Sequence, residues 1–525
     1  MQNLQNQESC EPELRGSGPS LLSLPEELIE QICQHVSSKR DVKSLDFLCR
    51  TSRDLNRIGT PVLYHSFPSQ GYIRRIFLFL RTLCERPDLC THVRWMSLAG
   101  DAWYTLTESD IALVSKAAER FGLDVVAPLP TRYPSSEEQS EDEEYVGSRG
   151  EDQPGPENDR ESEDESGYVI SDEDEDAEEE EDQSGDSAYQ RSQLGEYPFE
   201  TMAQLIIALT PNLRYLDVVA RQIMCDAGEG SFTLLEELAG RSPPPISLPH
   251  LHDFSFGHDD FREVSFSYFE GVIALAPNIR KIWGDPCYDQ PRFLPVGPIN
   301  IKNVTDLRFK SGHLSEQALT TIVSSCERLE VFQYHYSTMY SGLDPICASP
   351  REIVNILSQH KDSLRELDIE IGSREEHQEG MYFGLCIEGE EIVSLKMFSC
   401  LETFKVDGSS ILFPKADSDK YHTGVLTEML PQSIRTLRIF DTQEEAAANL
   451  VALTDSLENF PHLSEIYLSG NTFGGPLGKF DVKFKELEVK TLRDRLKCRG
   501  IAFLKRGRWT YSSTLEEDYE TREYW

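Results

Sequence analysis

Three stretches of the sequence hold residue types at spacings that could do chemistry. The first, "GNTFGGPLGKF" from Gly470, brings glycines and a lysine together as a phosphate-cradling loop does. Such a loop needs four residues between its two glycines, and a Ser or Thr after the lysine to hold magnesium. Here Gly474 and Gly478 enclose three residues and Phe480 follows Lys479, so a turn after a strand is expected instead. The second, "HLHDFSFGHDD", offers His250, His252, His258, Asp259 and Asp260. Two histidines on one strand face could bind a metal ion. They flank Leu251, the first apolar residue of a repeated motif, and an ordinary strand surface accounts for them. The third, "LKRGRWTY", sets Lys505, Arg506 and Arg508 beside Trp509. Cations interleaved with aromatics can grip nucleic acid, but three of them in a chain of net charge −40 argue against that, and an edge strand is expected. No G-x-S-x-G, H-E-x-x-H or Gly-rich dinucleotide fingerprint occurs. The expectation is a protein without catalytic residues, cofactor or metal.

Charge is concentrated in one place. Between Ser136 and Asp186 there are 25 Asp and Glu against two Arg, a net of −23. Val146, Val169 and Ile170 are the branched aliphatics there. Such a segment cannot bury enough apolar area to offset the entropy of ordering, so disorder is expected over 132–193. Loop-closure entropy rises only logarithmically, which lets a folded region carry the insertion. Ser135, Ser140, Ser148, Ser162 and Ser171 each stand three residues ahead of an acid, a spacing that acid-directed kinases accept. Two roles stay open: a solvated spacer, or an electrostatic mimic that binds basic proteins such as histones. A third idea is that it covers the cations Lys281, Arg308, Lys405 and Arg438.

The elements that would position any site come from a repeat. An apolar–x–x–apolar–x–apolar motif starts at Leu213, Leu251, Ile279, Val304, Leu329, Leu364, Leu401, Ile434 and Leu463, with one copy at Val93 ahead of the acidic segment. The nine later starts average about 31 residues apart. Within each motif the apolar residues end in strand alternation. Stretches such as "EQALTTIVSSCERL" and "SPREIVNILSQHKDSL" between them have helical i, i+3, i+4 spacing. A strand and a helix at that period predict a β/α solenoid whose units bury their faces only on one another. An ordinary α/β domain with chance motifs is the alternative. Positions between the inward apolar residues would line one open face: Tyr215, Asp217, Asp253, Ser255, Lys281, Trp283, Asp306, Arg308, Gln333, Glu366, Asp368, Thr403, Lys405, Thr436, Arg438, Glu465 and Tyr467. Of these, Tyr215, Asp217, Lys281, Trp283, Arg308, Lys405, Arg438 and Tyr467 are the candidates for gripping a protein substrate. Mixed charge and aromatics suit protein recognition better than nucleic acid.

A different pattern opens the chain. "SLPEELIEQICQHV" places Ser23 and Glu26 at capping-box spacing, with Pro25 in the first turn. Leu28, Ile29, Ile32, Cys33 and Val36 share a helical face. Asp41 can cap a second helix carrying Val42, Leu45, Leu48 and Cys49, and Leu55 and Ile58 predict a third that ends before "GTP". Three short helices cannot bury all that apolar surface, which predicts a partner.

Leu24-Pro25-x-Glu27-Leu28-Ile29-x-x-Ile32-x-x-x-Val36, then Leu45-x-x-Leu48-Cys49-Arg50-x-x-Arg53-x-Leu55, resembles an F-box, and "TPVLYHSF" with Pro61, Leu63, Tyr64 and Phe67 resembles the ending of fungal F-boxes. The repeats resemble irregular leucine-rich repeats. "LSEIYLSGN", with Asn471, carries the whole L-x-x-L-x-L-x-x-N form, and the other units lack that Asn. The resemblance implies an α/β chain: an N-terminal three-helix F-box, then a leucine-rich-repeat-like β/α solenoid interrupted by a disordered acidic insertion. It also implies a substrate-recognition subunit of an SCF-type (cullin-RING) ubiquitin ligase. A Skp-family adaptor, and through it a cullin, would meet Leu24, Pro25, Leu28, Ile29, Ile32 and Val36, with Leu45, Leu48 and Cys49 joining or supporting them. The solenoid would hold an unidentified protein substrate. A non-catalytic scaffold whose acidic segment binds basic nuclear proteins is the alternative.

The expected divisions are a tail over 1–20, the three-helix block over 21–67, the start of the solenoid over 68–131, the acidic insertion over 132–193, the main solenoid over 194–511 and a tail over 512–525. The twelve Cys are scattered singly with no C-x-x-C pair, which predicts reduced thiols. The N-terminus lacks a basic, then apolar, leader pattern, and no window of about 18 apolar residues predicts a membrane span. A cytoplasmic or nuclear location is expected.

Overall fold

The structure is a computed structural model of the 525-residue chain. It describes residues 21–38, 42–69, 72–100, 107–123, 198–220, 232–258, 264–285, 287–288, 299–336, 347–371, 390–411, 424–440, 444–469 and 486–506. The acidic run 136–186, Asn471 and the glycine-rich stretch from Gly470 lie outside these residues, as do Asp41, Asp259, Asp260 and most of "LKRGRWTY".

The protein is α/β. Three helices come first: α1 (Glu26–Ser38), α2 (Val42–Thr51) and α3 (Arg53–Leu63). A short strand β1 (Ser66–Pro68) and helix α4 (Ile73–Glu85) follow, then β2 (Trp95–Gly100), α5 (Glu108–Glu119) and α6 (Pro198–Leu209). The chain continues through β3 (Tyr215–Ala220), α7 (Thr233–Gly240), β4 (Asp253–His258), β5 (Val264–Ser265), α8 (Glu270–Leu275), β6 (Lys281–Asp285), β7 (Cys287–Tyr288) and β8 (Asp306–Phe309). Next are α9 (Glu316–Ser324), β9 (Val331–His335), α10 (Pro350–Leu357), β10 (Glu366–Glu370), β11 (Thr403–Asp407) and α11 (Val425–Met429). The last elements are β12 (Thr436–Phe440), α12 (Glu444–Asp455), β13 (Glu465–Ser469), α13 (Glu486–Cys498) and β14 (Ala502–Arg506).

Twelve strands form one sheet, laid down in chain order and paired in parallel throughout, while β5 and β7 form a separate small pair. All ten motif copies are strands of the large sheet, each strand beginning two residues after the motif's first apolar residue. One backbone device joins the units. The carbonyl of the residue after that first apolar position accepts two successive N–H groups from the next unit. Arg94 receives Arg214 and Tyr215 at 2.7 and 3.1 Å, and Arg365 receives Glu402 and Thr403 at 2.8 and 2.9 Å. His65, just past α3, already does this for Arg94 and Trp95, so the sheet begins inside the block that the sequence assigned to the helical module.

Parallel register turns period-two alternation into rows. Met96, Leu216, Phe254, Ile282, Leu307, Phe332, Leu367, Phe404, Leu437 and Ile466 lie side by side and pack with the helices in one continuous core. Each fully buried aliphatic or aromatic contributes roughly 1.5–3 kcal/mol. The next row holds Leu98, Val218 and Phe256, then Gly284. A Cβ at Gly284 would come 2.8 Å from Phe256 Cζ, so the residue that degrades the motif is the one that admits the neighbouring ring.

The first three helices have their own core of Ile29, Cys33, Leu45, Cys49, Leu55, Ile58 and Val62. Two expectations are corrected here. Helix α1 starts at Glu26, with the Pro25 carbonyl accepting from Leu28 and Ile29, and Ser23 belongs to a preceding 3-10 turn. Helix α3 does not end before Gly59 but runs through Pro61 to Leu63. Gly59 faces the two thiols: a Cβ there would sit 2.6 Å from Cys49 Sγ and 3.7 Å from Cys33 Sγ. That close approach holds the helix in place past the point where Gly and Pro usually stop one. Ser52 caps α3, its hydroxyl accepting from Leu55 N–H at 3.1 Å. Tyr64 and Phe67 carry the module onto the main core, with Phe67 stacked on Phe79 at 3.9 Å.

Glu200, in the first turn of α6, is a buried acid. A helix N-terminus favours a carboxylate, yet burial outweighs this and pushes its carboxyl up to about 8. A folded-state value above the unfolded one means the folded chain holds a proton that the unfolded chain releases. Stability therefore falls as pH rises from about 4.5 to about 8, and levels off above. Glu200→Gln removes that slope. Its gain in melting temperature over the wild type should grow steadily between pH 5 and pH 8, as differential scanning calorimetry will show.

Candidate functional site

Two surfaces collect the residues picked out by sequence. The first is the three-helix module. Leu24 is 38% exposed and Leu28 44%, and Pro25 is exposed. Ile32, Val36 and Leu48 are half-buried. Ile29, expected among the contact residues, is instead buried in the module's own core, as are Leu45 and Cys49, which were expected to join or support the contact. The reason is helical phase. On α1 the inward stripe is Ile29, Cys33 and Val36, so Leu28 and Ile32 are turned outward beside it. Val42 is also exposed, as are Leu22 and Phe47, which the helical patterns do not include, Phe47 at 66%. Five of the ten large apolar side chains that stand exposed among the described residues belong to this module. The bidentate pair Arg57–Glu26, with both contacts at 2.8 Å, ties α3 to the start of α1 and fixes how Leu24 and Leu28 are presented.

The second surface is the outer face of the sheet. Register places Asp217, Ser255, Trp283, Arg308, Gln333, Asp368, Lys405, Arg438 and Tyr467 in one continuous row. Tyr215, Asp253, Lys281, Asp306, Val331, Glu366, Thr403, Thr436 and Glu465 form the row beside it. All eight substrate-face candidates are thus on one face, as the alternation implied. Tyr467 is corrected from open to buried, because the Arg438 guanidinium lies over its ring at 5.6 Å. Trp283 has Arg308 at 6.0 Å and Lys310 at 4.6 Å from its ring centre.

This face balances its own charge. Arg308 Nε donates to Asp306 at 2.8 Å, and Lys405 Nζ donates to Glu366 at 2.6 Å and lies 3.5 Å from Asp368. His335 Nε2 meets Asp368 at 3.0 Å, and its Nδ1 is 3.7 Å from Glu370. Arg438 has a 4.0 Å contact with Glu465. Burial alone would push the Asp368 carboxyl up, but His335 and Lys405 outweigh it and hold the group down at about 2. Burial opposes the charge on Lys405 as well, and Asp368 and Glu366 overcome this and raise it. Asp253 goes the other way, pushed up by burial although Lys281 counters it.

His252 Nδ1 is 3.1 Å from the Asn278 carbonyl, and His250 is exposed ahead of the strand. Among the described residues, no group of three or more His, Cys, Asp or Glu is placed to hold a metal ion, and no helix is long and apolar enough to cross a membrane. A scan of protein-family models matched none to the chain, and a search of curated proteins returned no match.

Asp368 gives the face a measurable signature. Its depressed value means that its contribution is full above about 3.8 and disappears as pH falls towards about 2. Asp368→Asn should cost about 2 kcal/mol at pH 7, from a shift of somewhat under two pH units. In denaturant melts the cost should shrink between pH 4 and pH 3.

Proposed function

We propose that the chain is the substrate-recognition subunit of an SCF-type ubiquitin ligase. In this reading the three-helix module is an F-box that docks a Skp-family adaptor, and through it a cullin. The serial parallel sheet is a leucine-rich-repeat-like solenoid whose outer face holds the protein to be modified. The protein itself does no bond chemistry. It raises the concentration of substrate near the conjugating enzyme. A cytoplasmic or nuclear location goes with that role.

One observation carries the reading. The module has a complete small core of its own and still turns Leu24 and Leu28 outward from the helix start where the F-box resemblance predicts adaptor contact. Exposed apolar groups grouped on a module this small support a partner that covers them. Ser52 stands where many F-boxes carry Trp, and here it serves as the α3 cap, so the departure leaves the helix start intact. The ion-paired sheet face, with its Trp and Tyr, supports recognition of a folded or extended protein by shape and polarity.

Leu24→Asp with Leu28→Asp alters exposed positions and should leave the melting curve within about 1 kcal/mol of the wild type. The double variant should lose pull-down of a purified Skp-family adaptor. Retained pull-down would remove the module from the role proposed for it. Loss of every partner on removal of 136–186, with adaptor binding intact, would favour a scaffold working through the acidic segment.

A further inference from the structure

Two cations of the sheet face are engaged at home: Arg308 with Asp306, and Lys405 with Glu366 and Asp368. They leave little for the acidic segment to neutralise. Helix α4 is different. Its outward side carries Arg74, Leu78 and Arg81 at the i, i+4, i+7 spacing of one face, with Arg75 next to Arg74, all four exposed. Arg74 has no ion pair among the described residues, and Arg81 has a 4.0 Å contact with Glu85, itself exposed. Leu78 is 38% exposed between them. Lys116 of α5 and Arg120 just past its end add charge alongside, since both lower the Cys84 thiol, near the end of α4, against the burial that raises it. In a chain of net −40, this is a local reversal of sign.

We propose that this face of α4 is the docking surface for the chain's own acidic segment, 136–186. Charge complementarity is the first argument: the segment has a net charge of −23. The second is where its ends are held. Twelve residues lie between Leu123, just past α5, and the segment, and eleven lie between the segment and α6 at Pro198. Both α5 and α6 pack directly against α4. A twelve-residue connection spans up to about 40 Å, whereas α4 is about 20 Å long. The segment is therefore tethered on both sides of its site, and docking is intramolecular at high effective concentration. Contacts between exposed charges are screened by salt, so the docking must be salt-sensitive.

The test uses the full chain and a 1,2-dicarbonyl reagent that modifies guanidinium groups, with mass spectrometry reading each arginine. A second protein has every Asp of 136–186 changed to Asn and every Glu to Gln, which leaves the folded elements untouched. At low ionic strength Arg74 and Arg81 should react about fivefold faster in the amide variant than in the wild type, as a mostly docked segment requires. In about 0.5 M salt the difference should vanish. Arg57, paired with Glu26, serves as the unchanged reference. Equal rates for Arg74 and Arg81 in the two proteins at low salt would overturn the proposal. Protection that rises with protein concentration would assign the surface to a second copy's segment and overturn intramolecular docking.

Discussion

The rest of the structure depends on one shared hydrogen-bond acceptor. At each turn of the repeat a single carbonyl takes two successive N–H groups from the next unit, from His65 through Arg94, Arg214, His252, Arg280, Thr305, Glu330, Arg365 and Glu402 to Arg435. That contact locks the start of each strand against the one before, so the register cannot slip. A slip of one residue would turn Leu216 or Phe404 out and Asp217 or Lys405 in. With register fixed, every L-x-x-L-x-L motif sends its apolar residues to the helix-covered side. The outer rows follow without further instruction.

The two candidate surfaces have opposite physical characters. The sheet face is polar and already neutralised, with Asp368 held between His335 and Lys405. A partner there gains little from bare charge and must match a fixed arrangement, because breaking one member of a buried pair strands the other. The module's outward side is apolar and unfilled, so what it gains on binding is area removed from water. In the proposed receptor the first surface selects and the second anchors. Tyr64 and Phe67 bridge them through Phe79, which makes the anchor continuous with the sheet.

Much of this was legible in the sequence, and the gaps have causes. Period-two alternation after a fixed apolar residue identifies strands because the pleat enforces it, so each motif start from Val93 to Leu463 leads into a sheet strand. The same alternation places Trp283, Arg308 and Arg438 on the outer face. It cannot say which outer groups neutralise each other, because that depends on neighbours about 30 residues away. Arg438 over Tyr467 is such a case, as is Lys405 on Glu366. Strand β1 was hidden because three residues ending in Pro68 carry no periodicity. Gly59 and Pro61 are local stop signals for helix α3, while the tertiary role of Gly59, clearance for the Cys49 and Cys33 thiols, is not local. Phe47 falls off the Val42, Leu45, Leu48 and Cys49 stripe, and the packed helices show it turned to solvent.

The central claim is that the first three helices are half of an apolar interface. Isothermal titration calorimetry of the full chain with a purified Skp-family adaptor, repeated at several temperatures, tests it most directly. Burial of apolar surface predicts 1:1 binding with a clearly negative heat-capacity change. Absence of binding, or binding whose heat does not change with temperature, would contradict it.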